Sequence, residues 1–225
     1  MANRPIFTPI EEFPHVAIHN LDFEWHPGFS LSQKQLSIES LHASAISSNT
    51  CHSPLEISSK STVLYGVQLS AFNLRVPLDS GKSTSLESVF QSSKVFEDGG
   101  PYRDLLYAEA IDAKQDPRIK KSGELTGFQG KNLLWPIEPK TLFYDWIYLN
   151  TLHQTPALGK LCLLHDGFTD IEFNPKKSFS CQARSAALYV SLYNTDLLTD
   201  LLKREEGFIE YFTISSDKEP QGTLF

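Results

Sequence analysis

Glu87, Gln91 and Lys94 stand four and three residues apart in the stretch TSLESVFQSSKVF, which runs from Thr84 to Phe96. On a helix, advancing about 100° per residue, the three share one face. Leu86, Val89 and Phe96 fall away from it, and Phe90 at its edge. A carboxylate in such a row can stabilise a developing positive charge or position a water. An amide can hold hydroxyl groups. A lysine about 10 Å further along the axis can donate to a leaving group or, once neutral, attack an electrophilic carbon. A plainer use exists for the same residues. Thr84 followed three residues later by Glu87 is a capping box, with Gln91 and Lys94 left to solvent. On spacing alone the capping role is the default.

The surrounding elements must hold these groups. The spacing predicts a helix over roughly 85–96, stopped by Gly99, Gly100 and Pro101. Before it, FEWHPGF, with Trp25 and His26, reads as extended chain packed on a core. Ser30 and Gln33 form a capping-box pattern that opens a helix over 31–46. The serine-rich stretch 44–61 reads as loop, and TVLYGVQLSAFNLRVPL as one or two strands. Further helices are predicted in YRDLLYAEAIDAKQ, TLFYDWIYLNTLHQT, PALGKLCLL and CQARSAALYVSLYNTDLLTDLLKR. The Gly- and Pro-containing IKKSGELTGFQGKNLLWPIEPK reads as loop, FTDIEFN as a short strand, Gly207 as a stop and FIEYFTIS as a late strand. The sum is a mainly α fold with small β elements, of the α+β class. Residues 1–60 form an N-terminal extension and 61–225 the main domain, in one structural unit.

Composition narrows the chemistry. The chain has 225 residues, 40% hydrophobic and 21% charged, enough for one sizeable core. A net charge of −7 argues against a broad basic surface gripping many phosphates, though not against a pocket for one nucleotide. No apolar run is long enough for a membrane span, and the first residues lack a signal-peptide pattern. Three cysteines without a CxxC pair fit a reducing cytoplasm, with no disulfide framework. Cys162 and His165 lack a second ligand pair, so no metal site is expected.

SLESVFQSSKVF resembles the pattern S-[VL]-E-x-x-[YF]-Q-x-x-K-[FV] of the NADAR (YbiA-like) family, with Ser85, Glu87, Phe90, Gln91 and Lys94 each on it. LSAFN, Leu69 to Asn73, is similar to the family's upstream LSNF segment, with Ala71 where Asn is usual. EAIDAKQDPRIKKSG and YDWIYLNTLHQTPALGKL, which carries Lys160, resemble later segments in the same order. The extension resembles that of NADAR proteins encoded beside DarT-type toxins, which ADP-ribosylate DNA bases. That resemblance implies a compact NADAR fold and an enzyme without a cofactor. It also implies an antitoxin that removes ADP-ribose from guanine by cleaving an N-glycosidic bond. Its partners would be ADP-ribosylated DNA, ADP-ribose and the toxin. Two alternatives are an N-glycosidase of a riboflavin-pathway-type metabolite, and an antitoxin acting by direct contact with the toxin.

The resemblance places Glu87 and Lys94 as catalytic residues, with Gln91 and Asn73 binding substrate. Asp145 and Trp146 follow it as well: the carboxylate would accept from guanine N–H groups and the indole would stack on the base. Trp146 also shares a stripe with Leu142 and Leu149, as a core residue would. Trp135 is a candidate aromatic lid, and Trp25 and His26 are structural anchors. Lys120, Lys121, Lys176 and Lys177 are candidate phosphate contacts. The family's Asp-x-x-Trp-Gly segment after a strand has no match here. Asp170 is expected to precede the strand, so Arg184 or Gln182 is assigned to replace that segment.

Overall fold

The fold was obtained as a computed structural model, which describes residues 1–175 and 178–216. Two strands at the start, β1 (Ala2–Pro9) and β2 (Val16–Phe23), pair antiparallel along their whole length, Ala2 opposite Phe23 and Pro9 opposite Val16. Ser30 then caps α1 (Leu31–Ser47), its side chain accepting from the backbone N–H of Gln33. Ile38, Leu41 and Ala45 turn the buried face of α1 inward, and the helix packs on β2 and on β3 (Pro54–Glu56). Trp25 sits edge-on to Phe23, 6.2 Å between centroids, under the ammonium of Lys34. The backbone N–H of His26 is held by Ser37.

After residue 60 the chain departs from the expected strands. α2 (Leu64–Gln68) is a short helix whose Gly66 lies so close to the carbonyl of Glu56 that a Cβ would approach it to 2.3 Å. The strand character survives in β4 (Arg75–Pro77), which pairs with β5 (Ser83–Ser85) and leads into α3 (Leu86–Ser93). α3 ends earlier than expected, and Lys94 opens β6 (Lys94–Phe96). A 3-10 turn (Arg103–Tyr107), α4 (Ala110–Gln115) and α5 (Arg118–Lys121) follow. The stretch read as loop contains β7 (Leu125–Gln129) and β8 (Leu134–Trp135), forming a sheet in the order β6-β7-β8.

The core centres on α6 (Leu142–His153), apolar around most of its circumference and therefore enclosed by its neighbours. α7 (Pro156–Cys162) leads to β9 (Gly167–Thr169). β9 runs parallel to β3 and antiparallel to β1, completing the sheet order β2-β1-β9-β3. Strands from both sides of residue 60 thus interleave in one sheet. α8 (Gln182–Asn194) packs on β1, β9 and α6, its Ala183, Ala186 and Ala187 allowing close approach. α9 (Leu198–Leu201) precedes α10 (Glu205–Ser216), which replaces the expected late strand. Phe208 and Phe212, one helical turn apart, both bury, and Gly207 lies inside the helix rather than ending one. No helix among the described residues is long and apolar enough to cross a membrane.

Candidate active site

Ser85, not Thr84, caps α3. Its hydroxyl accepts from the backbone N–H of Ser88 at 3.0 Å and contacts the Ser88 hydroxyl at 2.7 Å. This frees the Glu87 carboxylate from capping. The backbone N–H of Glu87 donates to the Ala71 carbonyl, tying the start of α3 to the LSAFN turn. Its side chain is buried, and Oε1 accepts from Gln91 Nε2 at 2.8 Å. Lys114 of α4 brings its ammonium to 3.9 Å from the same oxygen and to 5.2 Å from the Phe72 ring centroid. The sequence reading missed Lys114. Its contact with Glu87 depends on how α4 docks on α3, which no local pattern reports.

Lys94 leaves the helix. The hydroxyls of Ser92 and Ser93 both turn back to the Val89 carbonyl, and Lys94 adopts an extended conformation opposite Phe128. Gly100, at φ +82°, closes over it so tightly that a Cβ would lie 2.4 Å from the Lys94 carbonyl oxygen. The Lys94 ammonium lies 4.8 Å from the Phe90 ring centroid. Burial pushes its pKa down to about 8, the charge of Glu87 raises it in part and Lys114 lowers it further. At neutral pH on the order of a tenth of such a lysine is free amine, against about one in three thousand for an ordinary one.

Lys94 and Phe90 line a pocket of about 310 Å³, together with Phe128, Glu138, Lys140 and Phe179 among others. Glu87 and Gln91 are not part of that lining. Gln91 is also buried, and its amide oxygen has no hydrogen-bond donor among the described residues. Behind Phe90 lies Tyr144, edge-on at 5.1 Å, whose phenol is kept protonated by burial and then by Glu87.

The other sequence candidates are distributed around this centre. Asp145 is buried with both oxygens engaged, Oδ2 by Arg184 at 2.5 Å and Oδ1 by Ser185 at 2.6 Å. Asp145 and Arg184 therefore clamp α6 to α8, and the buried carboxylate is not part of the pocket lining. Trp146 points elsewhere, packing half-buried against Trp135 and Phe208. Trp135 is wholly buried, its indole N–H donating to Glu205 at 3.3 Å. It is core beneath α10, not an aromatic lid. Asn73 is exposed and donates to Ser70. Lys120 and Lys121 are exposed on α5, as is Lys160 on α7, whereas Lys176 and Lys177 lie outside the described residues.

Asp170 follows β9 rather than preceding a strand, because the strand is Gly167–Thr169. Gln182 binds Asp170 at 3.0 Å, donates to the Ile57 carbonyl and accepts from the Ala71 N–H, so it joins this carboxylate to the LSAFN turn beneath Glu87. Burial pushes Asp170 up to about 8, and the neighbouring Glu56 adds to the shift. Glu56 is buried and is raised by the same cause, while bonds from Thr169 and the Ile171 N–H oppose it.

No curated protein matches the chain. The model of the DarT1-associated NADAR antitoxin family, NADAR-DarT1, matches residues 2–222, and the chain belongs to that family.

Proposed function

We propose that this protein removes ADP-ribose from guanine bases in DNA, cleaving the N-glycosidic bond between the base and ribose C1. The observation that carries this reading is the pairing of a buried carboxylate, Glu87, with a lysine of depressed pKa that lines the adjacent pocket. As the bond breaks, positive charge builds on C1, and Glu87 is the group that stabilises it. Gln91 holds the Glu87 carboxylate in place with its amide nitrogen. Neutral Lys94 attacks C1: the new N–C1 bond replaces the bond to the base, which leaves with the electron pair and gains a proton. Opening of the sugar ring, with the ring oxygen protonated, converts the lysine adduct to an imine. Water then adds to the imine and releases free ADP-ribose and the amine. In this reading residues 1–60 and 61–225 act as one catalytic unit.

The test is direct. Protein incubated with ADP-ribosylated DNA is expected to release ADP-ribose and leave intact guanine. Modified bases that persist, with no ADP-ribose in solution, would rule the reaction out.

A further inference from the structure

The pocket beside Lys94 has features that bond cleavage does not use. Its lining includes Phe90 and Phe128, stacked 5.3 Å apart, and Phe179, a residue that is 61% exposed. The Lys140 ammonium stands 3.9 Å from the Phe179 ring centroid and backs it. An exposed ring at the edge of a pocket is a platform on which a nucleobase stacks. The same lining carries Glu138, which is exposed and has no hydrogen bond or ion pair among the described residues. Asp145, by contrast, has both oxygens taken by Arg184 and Ser185.

We infer that Glu138 reads the guanine base in this pocket, its carboxylate accepting from the ring N1–H and the exocyclic amino N–H while Phe179 stacks on the base. The ligand is taken from the function proposed above. A carboxylate only accepts hydrogen bonds. Guanine alone among the four DNA bases presents two adjacent donors on its Watson–Crick edge. Adenine and cytosine pair one donor with a ring acceptor, and thymine flanks one N–H with carbonyls. A linkage through the exocyclic nitrogen still leaves that atom one hydrogen. The volume, about 310 Å³, is at the small end of ligand pockets and admits a base drawn out of its stack, not a duplex.

Calorimetric titration with the 5′-monophosphates of deoxyguanosine, deoxyinosine and deoxyadenosine tests this, since hypoxanthine keeps N1–H but lacks the amino group. The expected order for the wild type is guanine, then hypoxanthine, then adenine. Glu138→Ala is expected to weaken guanine binding about tenfold or more and leave adenine unchanged. Phe179→Ala is expected to weaken all three alike and keep the order. A wild type that binds none of them, or binds them equally, overturns the assignment, as does a guanine preference that survives Glu138→Ala. Release of ADP-ribose from modified DNA separates the two proposals. A guanine preference dependent on Glu138, with no release, keeps the reader and removes the reaction. Release that Glu138→Ala leaves unchanged keeps the reaction and removes the reader.

Discussion

Gln91 Nε2 lies 2.8 Å from Glu87 Oε1, one turn apart on α3 and both buried. The bond fixes the amide: its nitrogen must face the carboxylate, so its oxygen faces away, buried and without a donor among the described residues. An unsatisfied buried acceptor costs about 1–3 kcal/mol.

Glu87→Gln is expected to keep the fold and remove the reaction. The amide oxygen still accepts from Gln91, and Ser85 still caps the helix. The favourable term between charge and helix dipole is lost, about 0.3–1 kcal/mol, together with the attraction to Lys114 and Lys94. Loss of the carboxylate charge beside C1 is expected to lower turnover by about 10²–10³. At equal expression the variant is expected not to protect cells from the toxin. Full protection by a folded, inactive protein would place antitoxicity in direct contact with the toxin. Near-native turnover would remove Glu87 from the chemistry.

Trp135 tests the boundary between core and site. Trp135→Phe keeps an aromatic ring but drops the N–H that reaches Glu205, and is expected to cost about 1–3 kcal/mol in urea unfolding. Trp135→Ala is expected to cost about 3–5 kcal/mol. As a core residue, Trp135 changed to Phe should leave kcat/KM per folded molecule within about twofold of the wild type. Activity lost with stability intact would return it to substrate contact.

What was legible in the chain was periodic or local. α1, α6, α7 and α8 repeat apolar residues at helical spacing, and the four-residue step from Glu87 to Gln91 is a contact any helix would make. The departure of Lys94 from the helix is not legible, because nothing before it signals that Ser92 and Ser93 turn inward and end α3. Phe208 and Phe212 do carry a helical step, but the β-forming residues around them read as strand. The position of Asp170 after β9 is not legible in the sequence, because a three-residue strand has too little pattern to locate. Lys114, Glu138 and the occupied state of Asp145 depend on chain segments meeting in space, which spacing along the chain does not encode.

The paired carboxyls Glu56 and Asp170 make stability depend on pH in a defined direction. Their folded pKa values are raised, Asp170 to about 8. The folded state therefore holds protons that the unfolded chain has released, and stability falls as pH rises from about 4 towards 8. His42, lowered to about 4 by burial, acts oppositely, losing stability as pH falls below 6.5. The carboxyls are therefore best read between pH 6.5 and 8, the interval bounded by the His42 and Asp170 values. Glu56→Gln can still accept from the Ile171 N–H and can donate to Thr169. Its melting temperature is expected to fall less steeply than that of the wild type across this interval. Parallel slopes would show that the two carboxyls do not repel in the folded protein.

Lys94 leaves a covalent trace if it is the nucleophile. Borohydride added during turnover reduces the imine to a stable amine, so one ADP-ribosyl unit is expected on the protein, at Lys94 by peptide mass mapping. The rate of trapping is expected to rise with pH and level off above about 8, where Lys94 becomes neutral, rather than climbing towards 10.5. Free ADP-ribose is itself an aldehyde and glycates exposed lysines slowly, so Lys120 and Lys121 serve as internal controls. Lys94→Arg keeps the charge, but a guanidinium does not deprotonate in this range. That variant is expected to lose the rapid adduct while slow surface glycation continues. Equal labelling of Lys94, Lys120 and Lys121, or normal turnover by Lys94→Arg, would remove the lysine adduct from the reaction. Water positioned by Glu87 would then be the group that attacks C1.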